Sequence, residues 1–367
     1  MKTIRRLVYL EILQAVAFVS LGFLALFFFF DFVDELGDLG KGGLQPYRMT
    51  QALLYVALRM PSHLYELLPI AVLIGTIFVM ARFAQSSEYT ILRTSGLGPW
   101  RALRALLLLG FGFTVLTVLT GDYLAPLSDR TAQLLKARMD GMLSVGTTGA
   151  WLKERQRYFS YNVNVRSLTP DGRLQGIRIF EADARGYMVS LTQAQRGVFG
   201  DDGAWLLENV ERTEFKSADD STRVQRVALP SMRWPTEITQ EMVAVALLKP
   251  ERMSTIALFQ YIQHLEANSQ TSQRYEIEFW RKVFYPLSCL VMVVLALPFA
   301  YLHFRSGGIT SYVFGGVLIG ISFFLLNNMF GYIGNLKNWV PWMAAGAPGL
   351  LYMLASLGAF GWLVLRR

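Results

Sequence analysis

Very little in this 367-residue sequence is equipped for chemistry. It has one cysteine, Cys289, set within an apolar run, so no disulfide framework and no cysteine-based metal site forms inside the chain. The three histidines, His63, His264 and His303, are far apart in sequence and offer no metal-ligand spacing. No Gly-x-x-x-x-Gly-Lys-Ser/Thr occurs, so the chain has no backbone cradle for ATP phosphates. The pairs Ser95-Gly96 and Ser306-Gly307 lack the Gly-x-Ser-x-Gly setting of a nucleophile elbow, which argues against a membrane-anchored hydrolase. Charge is scarce, at 17% Asp, Glu, Lys and Arg. The net charge of +8 is not gathered into a basic stripe with interleaved aromatics, so nucleic-acid binding is excluded as well. No catalytic, cofactor-binding or metal-binding residue is assigned.

What the chain has is apolar surface. With 53% hydrophobic and 13% aromatic residues and a mean hydropathy of +0.34, it is too apolar for an ordinary soluble domain. Six runs approach the roughly 20 residues that a bilayer crossing needs. They are Leu7 to Phe30, Leu64 to Phe83, Ala102 to Gly121, Val283 to Leu302, Ile309 to Phe330 and Val340 to Leu365. The first is longer and richer in Phe than a signal h-region and no Ala-x-Ala follows it, so it is expected to stay in the protein. Pro69 in the second is tolerable where neighbouring helices satisfy the backbone. The centres of the runs are nearly free of ionisable groups, with Glu11 and Glu66 near ends and Asn327 and Asn328 late in the fifth, which leaves proton coupling little to work with. Gly316-x-x-x-Gly320 gives the fifth span a face that can approach another helix closely.

Between the third and fourth spans lies a soluble block, Asp122 to Gln273. Phe159, Tyr161, Val163 and Val165 alternate there with Ser160, Asn162, Asn164 and Arg166, the period of a half-buried strand. Further strands are expected at Gly176 to Phe180, Tyr187 to Thr192, Trp205 to Val210 and Val224 to Leu229. Turns such as Pro170-Asp171-Gly172 and Asp201-Asp202-Gly203 separate them. Short strands at this spacing predict an inserted all-β domain, a sandwich or jelly roll.

Basic residues orient the spans. Lys2, Arg5, Arg6, Arg82, Arg93, Arg101, Arg104, Arg305, Arg366 and Arg367 all fall on one side, which the positive-inside rule makes cytoplasmic. Both termini then lie in the cytoplasm and the β block outside. The cytoplasmic loop from Arg82 to Arg104 is long enough for its own amphipathic helix, near residues 85–96. Ser86 and Ser87 are N-cap candidates, Glu88 falls in the first turn where the helix dipole favours an anion, and Gly96 can end it. Such a helix is either an interfacial connector or a peg for a cytoplasmic partner.

A set of short motifs runs the length of the chain in order. They are Phe32-Val33-Asp34-Glu35-Leu36, Leu67-Leu68-Pro69-Ile70-Ala71, Ser87-Glu88 with Thr94-Ser95-Gly96, Gly121-Asp122-Tyr123-Leu124-Ala125-Pro126, Arg274-Tyr275 with Phe279-Trp280-Arg281-Lys282, and Gly320-Ile321-Ser322. In order, spacing and three-plus-three layout the chain resembles the LptF/LptG family of lipopolysaccharide export permeases, and its LptG branch most. The resemblance implies a permease subunit, not an enzyme, in an ABC-type complex of the bacterial inner membrane. That complex would extract lipopolysaccharide and pass it to a periplasmic bridge. The expected architecture is transmembrane helices 1–3 over residues 1–121, a periplasmic β-jelly-roll-like domain over 122–273, and transmembrane helices 4–6 over 274–367.

The resemblance also implies an LptF-type partner permease, a dimeric cytoplasmic ATPase subunit engaged through Glu88, and a membrane-anchored LptC-type protein. It places Lys136, with Arg130 and Arg138 beside it, against the phosphates of lipid A. The family can also carry lysines at the outer end of span one, where this chain has Asp31 and Asp38. That departure tells against phosphate contacts from span one. Acyl chains are expected against spans one, two and five. A mechanotransmitting or structural membrane protein with a partner-binding outer domain shares the topology, and bound lipid would separate the two readings.

Overall fold

The structure is a computed structural model describing residues 2–40, 47–86, 99–140, 149–156, 158–169, 172–200, 203–218, 221–246, 250–301 and 309–362. Six of its helical stretches are long and apolar enough to cross a membrane. The chain divides into two compact units. One consists of Met1–Asp34, Val56–Ser128 and Gln273–Arg367, the other of Glu35–Tyr55 and Asp129–Ser272.

The first unit holds most of α1 (Lys2–Leu36) and α2 (Met49–Gln85), all of α3 (Pro99–Leu119), and the three last spans. Burial in α1 falls on Val8, Ile12, Val16 and Ser20, a spacing of four that puts one narrow stripe against the bundle. The rest of α1 is apolar yet exposed, including Phe18, Leu21 and Phe29. In α2, 78% of the apolar window is buried, against 17% in α1, so α2 is far more enclosed than α1.

Apolar side chains face outward as well as inward in this unit, so close approach rests on small residues rather than on the contrast between polar and apolar faces. Gly75 of α2 shows this: a Cβ there would lie 2.8 Å from the Val16 backbone nitrogen. In α9 (Ile309–Leu336), Cβ atoms added at Gly316 and Gly320 would lie 2.7 Å from Ile77 and 2.8 Å from Ile70. The Gly316-x-x-x-Gly320 face therefore packs on α2. The fourth span is broken by prolines into α7 (Gln273–Phe284), a 3₁₀ turn at Tyr285–Leu287, α8 (Ser288–Ala296) and a second 3₁₀ stretch at Leu297–Tyr301. Pro286 and Pro298 lack the N–H that would continue the helix. The last span is α10 (Pro341–Phe360).

In the second unit a six-stranded antiparallel sheet runs β1 (Ala150–Arg155), β2 (Phe159–Leu168), β3 (Leu174–Asp183), β4 (Met188–Phe199), β5 (Ala204–Ala218) and β6 (Ser221–Pro235). The strands pair in sequence order, as a meander. The inserted all-β domain is as the sequence led us to expect. The jelly-roll-like description is a finer statement that this strand order does not by itself carry. One face is closed by Val163, Val165, Ile177, Ile179, Trp205, Leu207 and Val210. Burying each aliphatic chain of this set is worth roughly 1.5–3 kcal/mol relative to leaving it exposed.

The side-chain alternation changes phase at Gly176 (φ 62°) in β3 and Asn209 (φ 52°) in β5, where the backbone is left-handed while the strand register runs on unshifted, so Leu174 and Ile177, and Leu207 and Val210, are buried at a spacing of three. Helix α5 (Gln240–Ala246) and Ile238 add to the core, and the Trp205 indole donates to the Ile238 carbonyl at 2.9 Å. Helix α6 (Thr255–Ala267) begins at Ser254, whose Oγ accepts from the Ala257 N–H.

Candidate functional site

The residues expected to meet the substrate follow the third span. α3 does not stop at the membrane end but widens into a π turn at Thr120–Leu124 and continues as α4 (Ala125–Asp140). Pro126 has no N–H for the carbonyl of Asp122, and its ring would crowd that carbonyl in a regular helix, so the wider turn accommodates it. Gly121 sits where a Cβ would lie 2.3 Å from the Tyr65 ring. Its carbonyl accepts from Lys282 Nζ at 3.0 Å, and that ammonium lies 5.6 Å from the centroid of the Tyr65 ring.

On α4, Lys136 meets the C-terminal end of α1. Its Nζ donates to Glu35 Oε1 at 2.8 Å and Asp38 Oδ2 at 3.2 Å, and it stands 5.1 Å from the centroid of the Tyr55 ring. The Glu35 side chain is 8% exposed and that of Asp38 48%, so one carboxylate is buried and the other reaches water. Tyr47 is buried nearby, and burial together with the Glu35 carboxylate pushes its hydroxyl pKa up. Arg130 is exposed and makes no ion pair with any described residue. Six residues apart on one helix, Arg130 and Lys136 point different ways, and the structure does not gather them. The Arg138 side chain lies outside the described residues.

Glu88 too lies outside the described residues, but both stems of its loop are placed. Ser86, an N-cap candidate from sequence, closes α2 by donating from Oγ to the Arg82 carbonyl at 3.0 Å. Arg82 pairs with Glu11 of α1 at 2.6 Å. Just after the loop, the Ala105 carbonyl of α3 accepts from the Tyr9 hydroxyl at 2.8 Å. The first third of α1 thus holds the two helices that flank the loop.

Asp31, the acid singled out near the C-terminal end of span one, has its own partners. Arg59 lies at 3.2 Å and His63 at 2.8 Å, with Phe27 stacked on the His63 ring. Among the described residues no group of three or more His, Cys, Asp or Glu could hold a metal ion. Sequence reasoning missed Glu35, Tyr55 and Tyr47 as surroundings of Lys136. Glu35 was visible as an acid, but its partner stands 101 positions away.

The family model described as lipopolysaccharide export system permease LptF/LptG matches residues 6–366. The chain belongs to this family. It is similar to the lipopolysaccharide export system permease protein LptG of Haemophilus influenzae, 26% identical over 326 residues that cover 88% of either chain. It is similar also to the LptG of Escherichia coli K12, 27% identical over 339 residues, or 92% of this chain and 90% of that protein. The LptF/LptG membership suggested by the ordered motifs is thereby established. With its six apolar helices the chain is a multi-pass inner-membrane permease subunit of lipopolysaccharide export.

Proposed function

We propose that the chain is the LptG-type permease of an ABC-type complex that draws lipopolysaccharide from the inner membrane and hands it to a periplasmic bridge. The observation that carries the reading is the pair of apolar faces left uncovered on α1 (Phe18, Leu21, Phe29) and α9 (Phe314, Leu318, Leu325). Faces of this kind suit acyl chains and a second permease, here of LptF type. Helix α2, largely buried, offers less, chiefly Leu53, Leu54 and Phe78. Phosphates of lipid A then meet Lys136, with Arg130 and Arg138 as neighbours, by charge-assisted hydrogen bonds at the membrane surface.

Energy comes from outside the chain, because its sequence has no phosphate-binding loop. Glu88 engages a dimeric cytoplasmic ATPase subunit, both termini share that side, and residues 122–273 face the periplasm, where an LptC-type protein receives the lipid. Co-purification tests this. A tagged chain is expected to bring down a second permease, an ATPase subunit and lipopolysaccharide, and Glu88→Lys is expected to lose the ATPase subunit while the permease still inserts. Recovery of protein partners without lipid would favour a mechanotransmitting role instead. Unchanged ATPase recovery with Glu88→Lys would make Glu88 a solvated surface acid.

A further inference from the structure

Lys136 carries two carboxylates, and they are not equivalent. Glu35 Oε1 lies 2.8 Å from Nζ on a side chain 8% exposed, while Asp38 Oδ2 lies 3.2 Å away on one 48% exposed. The two acids are joined through a turn in which the Asp38 N–H donates to the Glu35 carbonyl. With one ammonium and two carboxylates, the trio is formally net negative. An approaching phosphate is therefore repelled unless a carboxylate gives way.

Removing Lys136 from Glu35 would leave a buried carboxylate without its cation, a costly state. Asp38 is half in water, and an exposed ion pair of this kind contributes little, so its contact with Lys136 can be given up at small cost. We infer that Asp38 is an internal anion occupying the place on Lys136 that a lipid phosphate takes, while buried Glu35 is the positioning residue that aims the ammonium. This rests on the reading of Lys136 as a phosphate contact. Exchange of Asp38 for phosphate makes the site self-limiting: the lipid is held against a competitor that is always present, so it is also let go.

The two carboxylates should respond with opposite signs, which simple removal of negative charge does not produce. The test uses the whole complex in lipid nanodiscs with purified lipopolysaccharide, a dephosphorylated form of it, and inorganic phosphate as probes. Asp38→Asn is expected to raise lipopolysaccharide retention about two- to fivefold, the range an exposed ion pair allows. Asp38→Ser must agree with it, so that a local folding defect is not misread. Glu35→Gln is expected to lower retention by freeing Lys136 to reorient, and neither change should affect the dephosphorylated lipid.

Increases with both Asp38→Asn and Glu35→Gln would reduce the effect to net charge and overturn the placeholder. So would the absence of any change with Asp38→Asn and Asp38→Ser, which would make the trio a purely structural ion pair. Equal competition by inorganic phosphate and by the lipid would assign a general anion site and overturn the lipid-specific proposal. If Lys136→Gln leaves retention of phosphorylated lipid unchanged, the underlying reading fails, and the placeholder with it.

Discussion

The membrane bundle and the β domain bury apolar residues for different reasons. In the sheet, Val163, Ile177 and Leu207 face inward while Arg178 and Arg196 face water, so removal of apolar surface from water drives the fold. In the bundle, Phe18 at 80% exposed is as apolar as anything inside, and hydrophobicity does not decide which faces meet. Closeness does, and glycine sets it. Gly75 admits the Val16 backbone, whereas Gly22 of α1 has nothing within 4 Å of an added Cβ. The lesson is that in this chain a glycine's neighbours carry more information than a phenylalanine's hydropathy.

The largest effect that sharpens this contrast belongs to Gly75. Gly75→Leu is expected to unseat α1 from α2, because the nearest atoms include backbone that cannot move aside, with overpacking alone costing about 1–3 kcal/mol or more. Gly22→Ala is expected to be neutral or slightly stabilising, by up to about 1 kcal/mol, through helix propensity. Thermal unfolding of the purified complex checks both. Equal losses at the two positions would break the claim that small residues locate the contacts.

A much smaller effect is expected in the β domain's own unit, at His264. Burial lowers its pKa below the usual value near 6.5, with Glu154 and Glu237 opposing the shift only in part, and its Nε2 is buried with no hydrogen-bond partner among the described residues. The folded state then binds a proton less readily than the unfolded one. Stability is whole above the unfolded pKa and declines as pH falls through about 6.5 and below. Trp205 fluorescence should report a lower unfolding midpoint at about pH 5.5 than at about pH 7.5, on either side of the ordinary histidine pKa, and His264→Gln should flatten that difference. A stability that rises on acidification would contradict a lowered pKa at His264.

The spans were legible because some 20 consecutive apolar residues have few other uses. Five of the six strands were legible, β2 from its alternation and the other four from short runs set between turns. The sixth, β1, reads Ala-Trp-Leu-Lys-Glu-Arg, and its polar half hides that Glu154 is buried, accepting from Thr236 Oγ1 and the Glu237 N–H. Strand ends were lost where Gly176 and Asn209 break the period of two, so β5 extends to Ala218 instead of stopping at Val210. The kinks of the fourth span were present in Pro286 and Pro298 but look like ordinary apolar sequence in a hydropathy profile. At the site, Lys136 came from family resemblance. Its carboxylates did not, since contacts spanning 98 and 101 residues leave no local pattern.

Contact between Lys136 and the phosphates of lipid A is the step on which the proposed handling of the lipid headgroup depends. Its most direct test is lipopolysaccharide crosslinking in the assembled complex, comparing Lys136→Glu with Arg223→Glu, a reversal at an exposed strand position far along the chain. Lys136→Glu is expected to lower crosslinking and export well below the Arg223→Glu level while assembly and ATP hydrolysis persist. Equal and small losses at both positions would contradict a phosphate contact at Lys136 and leave the apolar faces of α1 and α9 as the source of binding.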